Sequence, residues 1–157
     1  MKITSNFDSG NIELVRLDEA KNDIQLKIRK DTNSDFLQWF HFRLTGAENK
    51  NCLLSIVNAG KTSYPRGWLN YNVCASYDRQ EWFRVPTTFS KGALKFHLKP
   101  KYNSVYFAYF APYSYERHLD LIHQAQLSED VTMEVVGKTF LGRDIAMLII
   151  GKPRRNK

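Results

Sequence analysis

The sequence predicts a mainly β fold: an antiparallel β-sandwich followed by a helix and a β-hairpin that open an α/β domain. Aromatic residues make up 13% of the chain and fall mostly in strand-like stretches, where such side chains are enriched. Turn-forming residues recur at intervals of roughly 8 to 14 residues through the first two thirds, as expected for an antiparallel sandwich. After Pro112 the spacing of apolar residues becomes helical.

The first predicted strands are short segments in which apolar residues partly alternate. NIELVRL (11–17) precedes DIQLKIR (23–29), whose apolar face consists of Ile24, Leu26 and Ile28. DTNSD then makes a polar turn. FLQWFHFRL (36–44) also alternates, with Trp39 opposite a heavy apolar face that comprises Phe36, Phe40, Phe42 and Leu44.

Five further stretches complete the predicted sandwich. A turn-rich linker, KTSYPRGW, separates the first of them from the second. Gly, Pro, Asn, Asp and Ser lie between the stretches, which is typical of the turns that bound strands. The stretches are CLLSIVNAG (52–60), LNYNVCASYD, WFRVP, ALKFHL and SVYFAYFA.

The last third of the chain begins with a helix and ends with a hairpin. Pro112 ends the preceding strand, and Ser114 is a suitable helix N-cap. Further on, VTMEVVG and IAMLIIG are predicted strands joined by KTFLGRD, where Gly142 permits a turn. The second strand is apolar at nearly every position over residues 145–150, which is typical of a strand covered on both faces. One helix and one hairpin cannot supply that cover, so we expect the natural chain to continue beyond Lys157.

Composition restricts the class of protein. The formal net charge of +7 favours an anionic ligand, but Lys and Arg are scattered except in the tail KPRRNK, which argues against a nucleic-acid binder. Cys52 and Cys74 have no close spacing and are predicted to be buried thiols. The amino terminus lacks a signal-like apolar segment, and no apolar run approaches the roughly 18 residues that span a bilayer. We therefore expect a cytoplasmic protein without a membrane partner.

Histidines are the candidate metal ligands, and their spacing is wrong for a shared ion. None of them begins an H-x-x-E or H-E-x-x-H pattern. His118 and His123 are five residues apart, so on one helix their side chains point about 140 degrees apart. His118 is more simply a partly buried residue on the packing face of that helix. His41 and His97 lie in predicted strands, where we expect them to face solvent or to be satisfied locally.

The tryptophans are the remaining candidates for ligand binding. Exposed tryptophans on a β-sandwich can stack on sugars or bases, although a core role is more common. Trp68 is the best surface candidate, because it lies in the turn-rich stretch SYPRGW; the other two are Trp39 and Trp82. No Gly-rich phosphate loop and no G-x-S-x-G motif is present in the sequence.

Several stretches in one order carry a resemblance to a known family: NFDSGNIE, SDFLQWFHFRLTG, YPRGWLNYNVCASYDRQEWFRV and YFAYFAPYSYERHLDLI. They resemble the amino-terminal portion of bacterial cytosolic carboxypeptidases, within the zinc metallocarboxypeptidase family. VVGKTFLGRDIAMLIIG resembles the hairpin that opens the catalytic domain of that family. In the family the next strand leads to the H-x-x-E pair that binds zinc, and this sequence stops before such a motif.

The resemblance implies a β-sandwich domain over residues 1–111. Residues 112–157 would hold the junction, the helix and the first hairpin of an incomplete catalytic domain. The whole enzyme would use zinc to hydrolyse carboxyl-terminal residues, glutamate among them, from peptide or protein substrates that include acidic ones. Its remaining catalytic domain would be in the same polypeptide or in a second chain. No catalytic or metal-binding residue is assigned in this chain, so we expect it to be inactive alone.

The segment PYSYERHLDLIHQA is expected to be the junction between the two domains. Tyr113 and Tyr115 are predicted to pack there, and Glu116 and Arg117 to form polar links across it. Tyr115 or His118 would alternatively reach the rim of the substrate cleft. The competing interpretation is a stand-alone β-sandwich module that binds a glycan or peptide through Trp68.

Overall fold

The computed structural model describes residues 1–151 of the chain. By its internal contacts the chain divides into two compact units, one spanning Met1–Pro112 and the other beginning at Tyr113. The first unit also contains two short 3₁₀ turns, Ala59–Lys61 and Pro65–Trp68. Its ten strands are β1 (Lys2–Thr4), β2 (Glu13–Asp18), β3 (Asp23–Lys27), β4 (His41–Thr45), β5 (Cys52–Ile56), β6 (Val73–Ser76), β7 (Phe83–Val85), β8 (Thr87–Ser90), β9 (Ala93–Leu98) and β10 (Ser104–Ala108).

The strands of the first unit form two five-stranded sheets. One sheet has the order β1-β4-β10-β6-β7 and the other the order β2-β3-β5-β9-β8. Neighbouring strands are antiparallel except for β3 and β5, which are parallel. This exception arises because the chain leaves the second sheet after β3, forms β4 in the first sheet and returns as β5, and parallel neighbours require such a crossover. The predicted mainly β, largely antiparallel fold class is confirmed.

Aromatic and aliphatic side chains from both sheets fill one core. Phe96 of β9 lies 5.3 Å from Phe107 of β10, measured between ring centroids, so the two sheets pack face to face. Phe107 also stacks on Phe42 of β4 at 5.2 Å. The predicted buried face of DIQLKIR is confirmed, because Ile24, Leu26 and Ile28 are all at most 3% exposed.

The predicted apolar face of FLQWFHFRL is right for three residues and wrong for Phe36. Phe40, Phe42 and Leu44 are fully buried, whereas Phe36 is 52% exposed. Strand β4 begins only at His41, and Phe36 lies in a loop where its carbonyl accepts a hydrogen bond from the Asp31 N–H at 2.9 Å. The alternation therefore holds only where the backbone is paired in the sheet.

The second unit consists of one helix and one hairpin. These are α1 (Tyr115–Ala125), β11 (Val131–Lys138) and β12 (Asp144–Ile150), and the two strands pair antiparallel. Gly142 has a φ of +80° in the connecting turn, a conformation that suits glycine. The helix and both strands were predicted from the sequence. No helix among residues 1–151 is long and apolar enough to cross a membrane.

The hairpin exposes apolar side chains along β12. Ile145, Met147 and Ile149 alternate along one face of the strand and are each about 40% exposed, and Ile150 is 77% exposed. Within residues 1–151, β12 pairs with β11 alone, so its other edge is open. The cover that the apolar sequence of β12 predicts is not supplied by the second unit itself.

Candidate functional site

A catalytic metal finds no fitting ligand set in the part of the chain that the structure describes. Over residues 1–151, no group of three or more His, Cys, Asp or Glu side chains is placed to hold an ion. Zinc sites require three or four such ligands around one point. The side chains of residues 1–151 therefore do not form a zinc site by themselves.

The two cysteines are buried and unpaired, as predicted. Cys52 is fully buried and Cys74 is 4% exposed. Burial raises the pKa of both thiols above the ordinary range and keeps them protonated. Since the thiolate is the nucleophilic form, neither cysteine is suited to nucleophilic catalysis.

The predicted junction residues lie at the start of α1. The Ser114 hydroxyl caps the helix by accepting a hydrogen bond from the Arg117 N–H at 3.3 Å, which confirms the predicted N-cap. The His118 ring lies 6.1 Å from the Tyr113 ring and 6.2 Å from the Tyr115 ring. The three rings and the Arg117 guanidinium, 5.7 Å from the Tyr113 ring, form one cluster.

The guanidinium of Arg143, in the hairpin turn, belongs to the same cluster. The Arg143 guanidinium lies 4.3 Å from the centre of the Tyr115 ring, within the range of cation–π attraction. Glu116 is in the first helical turn, where a carboxylate interacts favourably with the helix dipole. Every contact named here is internal to the second unit. The junction and cleft-rim roles of Tyr113, Tyr115, Glu116, Arg117 and His118 stay predictions.

Trp68 is not the surface aromatic that the turn-rich sequence predicted. It is 1% exposed, and its indole Nε1–H donates to the Ala59 carbonyl at 2.9 Å and to the Thr62 hydroxyl at 2.8 Å. The prediction is wrong because the Pro65–Trp68 turn folds the indole inward, against the rings of Tyr71 and Tyr109, each 5.2 Å away. The competing interpretation, a module that binds a glycan or peptide through Trp68, therefore lacks the exposed tryptophan that it requires.

His41, the first residue of β4, is a buried histidine of the first unit. It is 2% exposed, so of the two predicted alternatives the solvent-facing one is wrong and local satisfaction holds for one ring nitrogen only, whereas His97 is exposed. The His41 Nδ1 lies 3.0 Å from the Ser9 hydroxyl, and its Nε2 is buried without a hydrogen-bond partner. Its ring is surrounded by aromatic rings at centroid distances of 4.9 to 6.2 Å, those of Phe7, Trp39, Trp82 and Tyr106.

Burial decides the charge state of His41. Desolvation lowers the pKa of its imidazole to about 4, and the nearby Arg79 cation acts in the same direction. The Asp8 carboxylate opposes them weakly. His41 is therefore neutral near pH 7, which suits a structural residue better than a proton carrier at that pH.

The amino-terminal loop holds His41 in this environment. The Asn11 amide donates to the Arg29 carbonyl at 2.9 Å and to the Trp39 carbonyl at 3.1 Å, and the Trp39 indole donates to the Ser9 carbonyl at 2.7 Å. Gly10 fits only because it has no side chain: an added Cβ would lie 2.0 Å from the Ser5 carbonyl oxygen. These contacts hold the stretch NFDSGNIE against the side chain of His41 in β4.

A pocket of about 580 Å³, which we call the Tyr77 pocket, opens between the segment after β6 and the segment that joins β9 to β10. It has aromatic walls and charged groups of both signs. No sequence motif indicates it, because its residues come from segments about twenty positions apart that meet only in the folded sheets. They are Tyr77, Asp78, Glu81, Phe83, Leu98, Lys99, Lys101 and Tyr102.

Known proteins similar to this chain are bacterial metallo-carboxypeptidases. The chain is 42% identical to a metallo-carboxypeptidase from Burkholderia cenocepacia, whose crystal structure superposes with a TM-score of 0.93. It is also 42% identical to a Pseudomonas aeruginosa metallo-carboxypeptidase solved with (2-guanidinoethylmercapto)succinic acid, with a TM-score of 0.88. The two alignments cover 99% and 94% of this chain, respectively, and 40% of each solved chain.

The sequence comparisons agree with the structural ones. An uncharacterised protein of Zymomonas mobilis is 42% identical over 156 residues, which are 99% of this chain and 40% of that protein. The chain thus spans about two fifths of the length of the relatives it matches. The family model described as the cytosolic carboxypeptidase N-terminal domain matches residues 3–110, nearly the whole first unit. This chain therefore belongs to the cytosolic carboxypeptidase N-terminal domain family.

Proposed function

We propose that this chain is the amino-terminal domain and the first catalytic elements of a zinc metallocarboxypeptidase. The complete enzyme would hydrolyse carboxyl-terminal residues from peptides or proteins. Residues 1–111 would support folding of the catalytic domain and access to its cleft, and residues 112–157 would open that domain. The similarity to metallo-carboxypeptidases over almost the whole of this chain supports the proposal.

The observation that carries the proposal is the uncovered hairpin. Strand β12 is apolar at six consecutive positions, yet Ile145, Met147 and Ile149 are each about 40% exposed. Apolar strands of this kind belong inside sheets that are covered on both faces. The hairpin therefore suits the first strands of a larger sheet, whose further strands and zinc ligands would lie in the portion of the relatives that this chain does not match.

Hydrolysis by a fused protein tests this proposal. We expect the 157-residue chain alone to release no carboxyl-terminal residue and to bind no stoichiometric zinc. Fused to the remaining portion of the Burkholderia cenocepacia protein, it should bind about one zinc per chain and trim peptides ending in glutamate, lysine or leucine. Metal analysis and mass spectrometry of the peptides measure both. Hydrolysis by the chain alone, or a folded, zinc-loaded fusion that trims none of the three peptides, would contradict the proposal.

The uncovered hairpin also predicts self-association. At micromolar concentration we expect the 157-residue chain to form dimers or larger species, because an open strand edge and exposed apolar faces favour pairing with another copy. The double variant Ile145→Lys with Ile149→Lys should be largely monomeric by light scattering. Leu69→Lys, at a position that is 63% exposed in the first unit, is the matched control and should leave association unchanged. A monomeric parent chain would count against the inference that the hairpin is covered by further strands in the complete enzyme.

The same proposal includes the residue that the enzyme would release and its location in the cell. The net charge of +7 favours acidic peptides, so glutamate is one expected leaving residue. A cytoplasmic location is supported by the description of the matching family and by the two unpaired, buried thiols. The peptides ending in glutamate, lysine and leucine in the fusion assay test the first assignment directly.

A further inference from the structure

Three aromatic rings, those of Tyr77, Phe83 and Tyr102, form a wall of the Tyr77 pocket. The Tyr77 hydroxyl accepts a hydrogen bond from the Lys101 N–H at 3.0 Å, which fixes the ring between two neighbours. Phe83 lies 5.5 Å from it, and Tyr102 meets it edge to face at 4.9 Å. Tyr102 nevertheless stays 60% exposed, so its ring is available to stack on a ligand. A volume of about 580 Å³ is within the range of pre-formed ligand sites.

Charged groups of opposite sign come from the two segments that border the pocket. Asp78 and Glu81 belong to the segment after β6, and Lys99 and Lys101 to the segment after β9. Within residues 1–151 none of these four side chains forms an ion pair. Two anions on one side and two cations on the other would complement a ligand that carries both charges.

The Asp78 carboxylate is a built feature of the pocket. Its Oδ1 accepts hydrogen bonds from the Gln80 N–H at 2.8 Å, the Glu81 N–H at 2.9 Å and the Ser76 hydroxyl at 3.0 Å. The two backbone N–H groups are the main causes that lower the pKa of Asp78. The carboxylate is therefore ionised at neutral pH and fixed in direction, as a binding group should be.

These charges distinguish between ligand classes. A nucleic acid would bring its phosphates against the carboxylates of Asp78 and Glu81. A neutral glycan could stack on Tyr102, but it would leave the lysine and carboxylate charges without partners as it displaced their water. A peptide segment with one basic and one acidic side chain around an aromatic ring matches all three features of the pocket.

We propose that the Tyr77 pocket binds a short peptide segment in which an aromatic side chain is flanked by residues of opposite charge. The aromatic ring packs against Tyr102 and Phe83. The basic residue faces Asp78 and Glu81, and the acidic residue faces Lys99 and Lys101. The site lies wholly within the first unit, and the proposal does not depend on peptidase activity.

Fluorescence anisotropy with the whole 157-residue chain tests the site. The probes are two labelled, carboxyl-amidated pentapeptides. Gly-Lys-Phe-Glu-Gly carries the aromatic ring, and Gly-Lys-Ala-Glu-Gly is the matched control that lacks it. We expect the phenylalanine peptide to bind roughly fivefold more tightly than the alanine peptide. Its affinity should also fall as salt is raised from low to physiological ionic strength. Equal binding of the two peptides would overturn the proposal.

Variants assign the binding to this pocket. Tyr102→Ala should weaken the phenylalanine peptide roughly fivefold, and Lys99→Glu combined with Lys101→Glu should weaken it roughly threefold to tenfold. The matched controls are Tyr64→Ala, at a tyrosine that is 59% exposed elsewhere, and Lys95→Glu, at an exposed position on β9. Both controls should bind like the parent. Two results would overturn the peptide assignment. One is peptide binding that the pocket variants leave unchanged. The other is chitotetraose that binds more tightly than the peptide and displaces it.

Discussion

Replacing Trp68 with alanine is expected to lower the free energy of unfolding by about 3 to 5 kcal/mol, the usual cost of deleting a fully buried large aromatic side chain. Trp68 is 1% exposed and contacts the rings of Phe40, Tyr71 and Tyr109 at centroid distances of 5.2 to 6.3 Å. The deletion would open a cavity beneath the Pro65–Trp68 turn. Urea unfolding followed by circular dichroism measures the change without relying on indole fluorescence.

A second substitution separates packing from hydrogen bonding at this position. Trp68→Phe keeps most of the ring contacts but removes the Nε1–H donor that serves Ala59 and Thr62. We expect a loss of about 1 to 3 kcal/mol, because two buried hydrogen bonds of about 0.5 to 1.5 kcal/mol each are removed, while the Ala59 carbonyl keeps its bond from the Thr62 hydroxyl at 2.8 Å. Trp82→Phe is the control, since that indole is half-buried and its donor bond to the Arg79 carbonyl is longer, at 3.2 Å. A Trp68→Ala protein as stable as the parent would restore the surface interpretation of Trp68.

Trp68 shows where sequence reasoning about the fold fails. Periodicity correctly predicted the buried face of Ile24, Leu26 and Ile28, and residue type correctly predicted the cap at Ser114, because alternation and helix capping are local properties of the chain. A turn-rich stretch has no such period. Whether its tryptophan points inward depends on the 3₁₀ turn at Pro65–Trp68 and on the Tyr109 ring, which lies about forty residues away in the chain.

The candidate sites could be predicted only in part for the same reason. The resemblance to carboxypeptidases predicted the family, and the family was confirmed. The expected zinc motif outside this chain stays a prediction. The Tyr77 pocket could not be predicted, because its two charged segments are brought together by the antiparallel pairing of β6 with β10, which places the end of β6 beside the start of β10. The parallel pairing of β3 with β5 likewise depends on which sheet the intervening strand joins.

The free energy of unfolding should also decrease on acidification. His41 is expected to be the main cause of that decrease between pH 6.5 and about 4. The imidazole pKa falls from an ordinary value of 6.5 in the unfolded chain to about 4 in the folded protein. Below pH 6.5 the unfolded chain takes up a proton that the folded protein does not, so the unfolding free energy decreases by about 1.4 kcal/mol per pH unit. The loss reaches at most about 3 kcal/mol near pH 4 and then stops growing.

Comparison with His41→Phe isolates this contribution. The variant has no titrating group at position 41, so its unfolding free energy should depend much less on pH between 6.5 and 4, whatever its stability at pH 7. Carboxylates with lowered pKa values, such as those of Glu19, Asp35 and Asp78, also destabilise the fold in acid, but both proteins retain them and the difference cancels. Parallel profiles for the parent and His41→Phe would mean that His41 is hydrated and titrates normally in the folded protein, and that the aromatic rings around it do not exclude water.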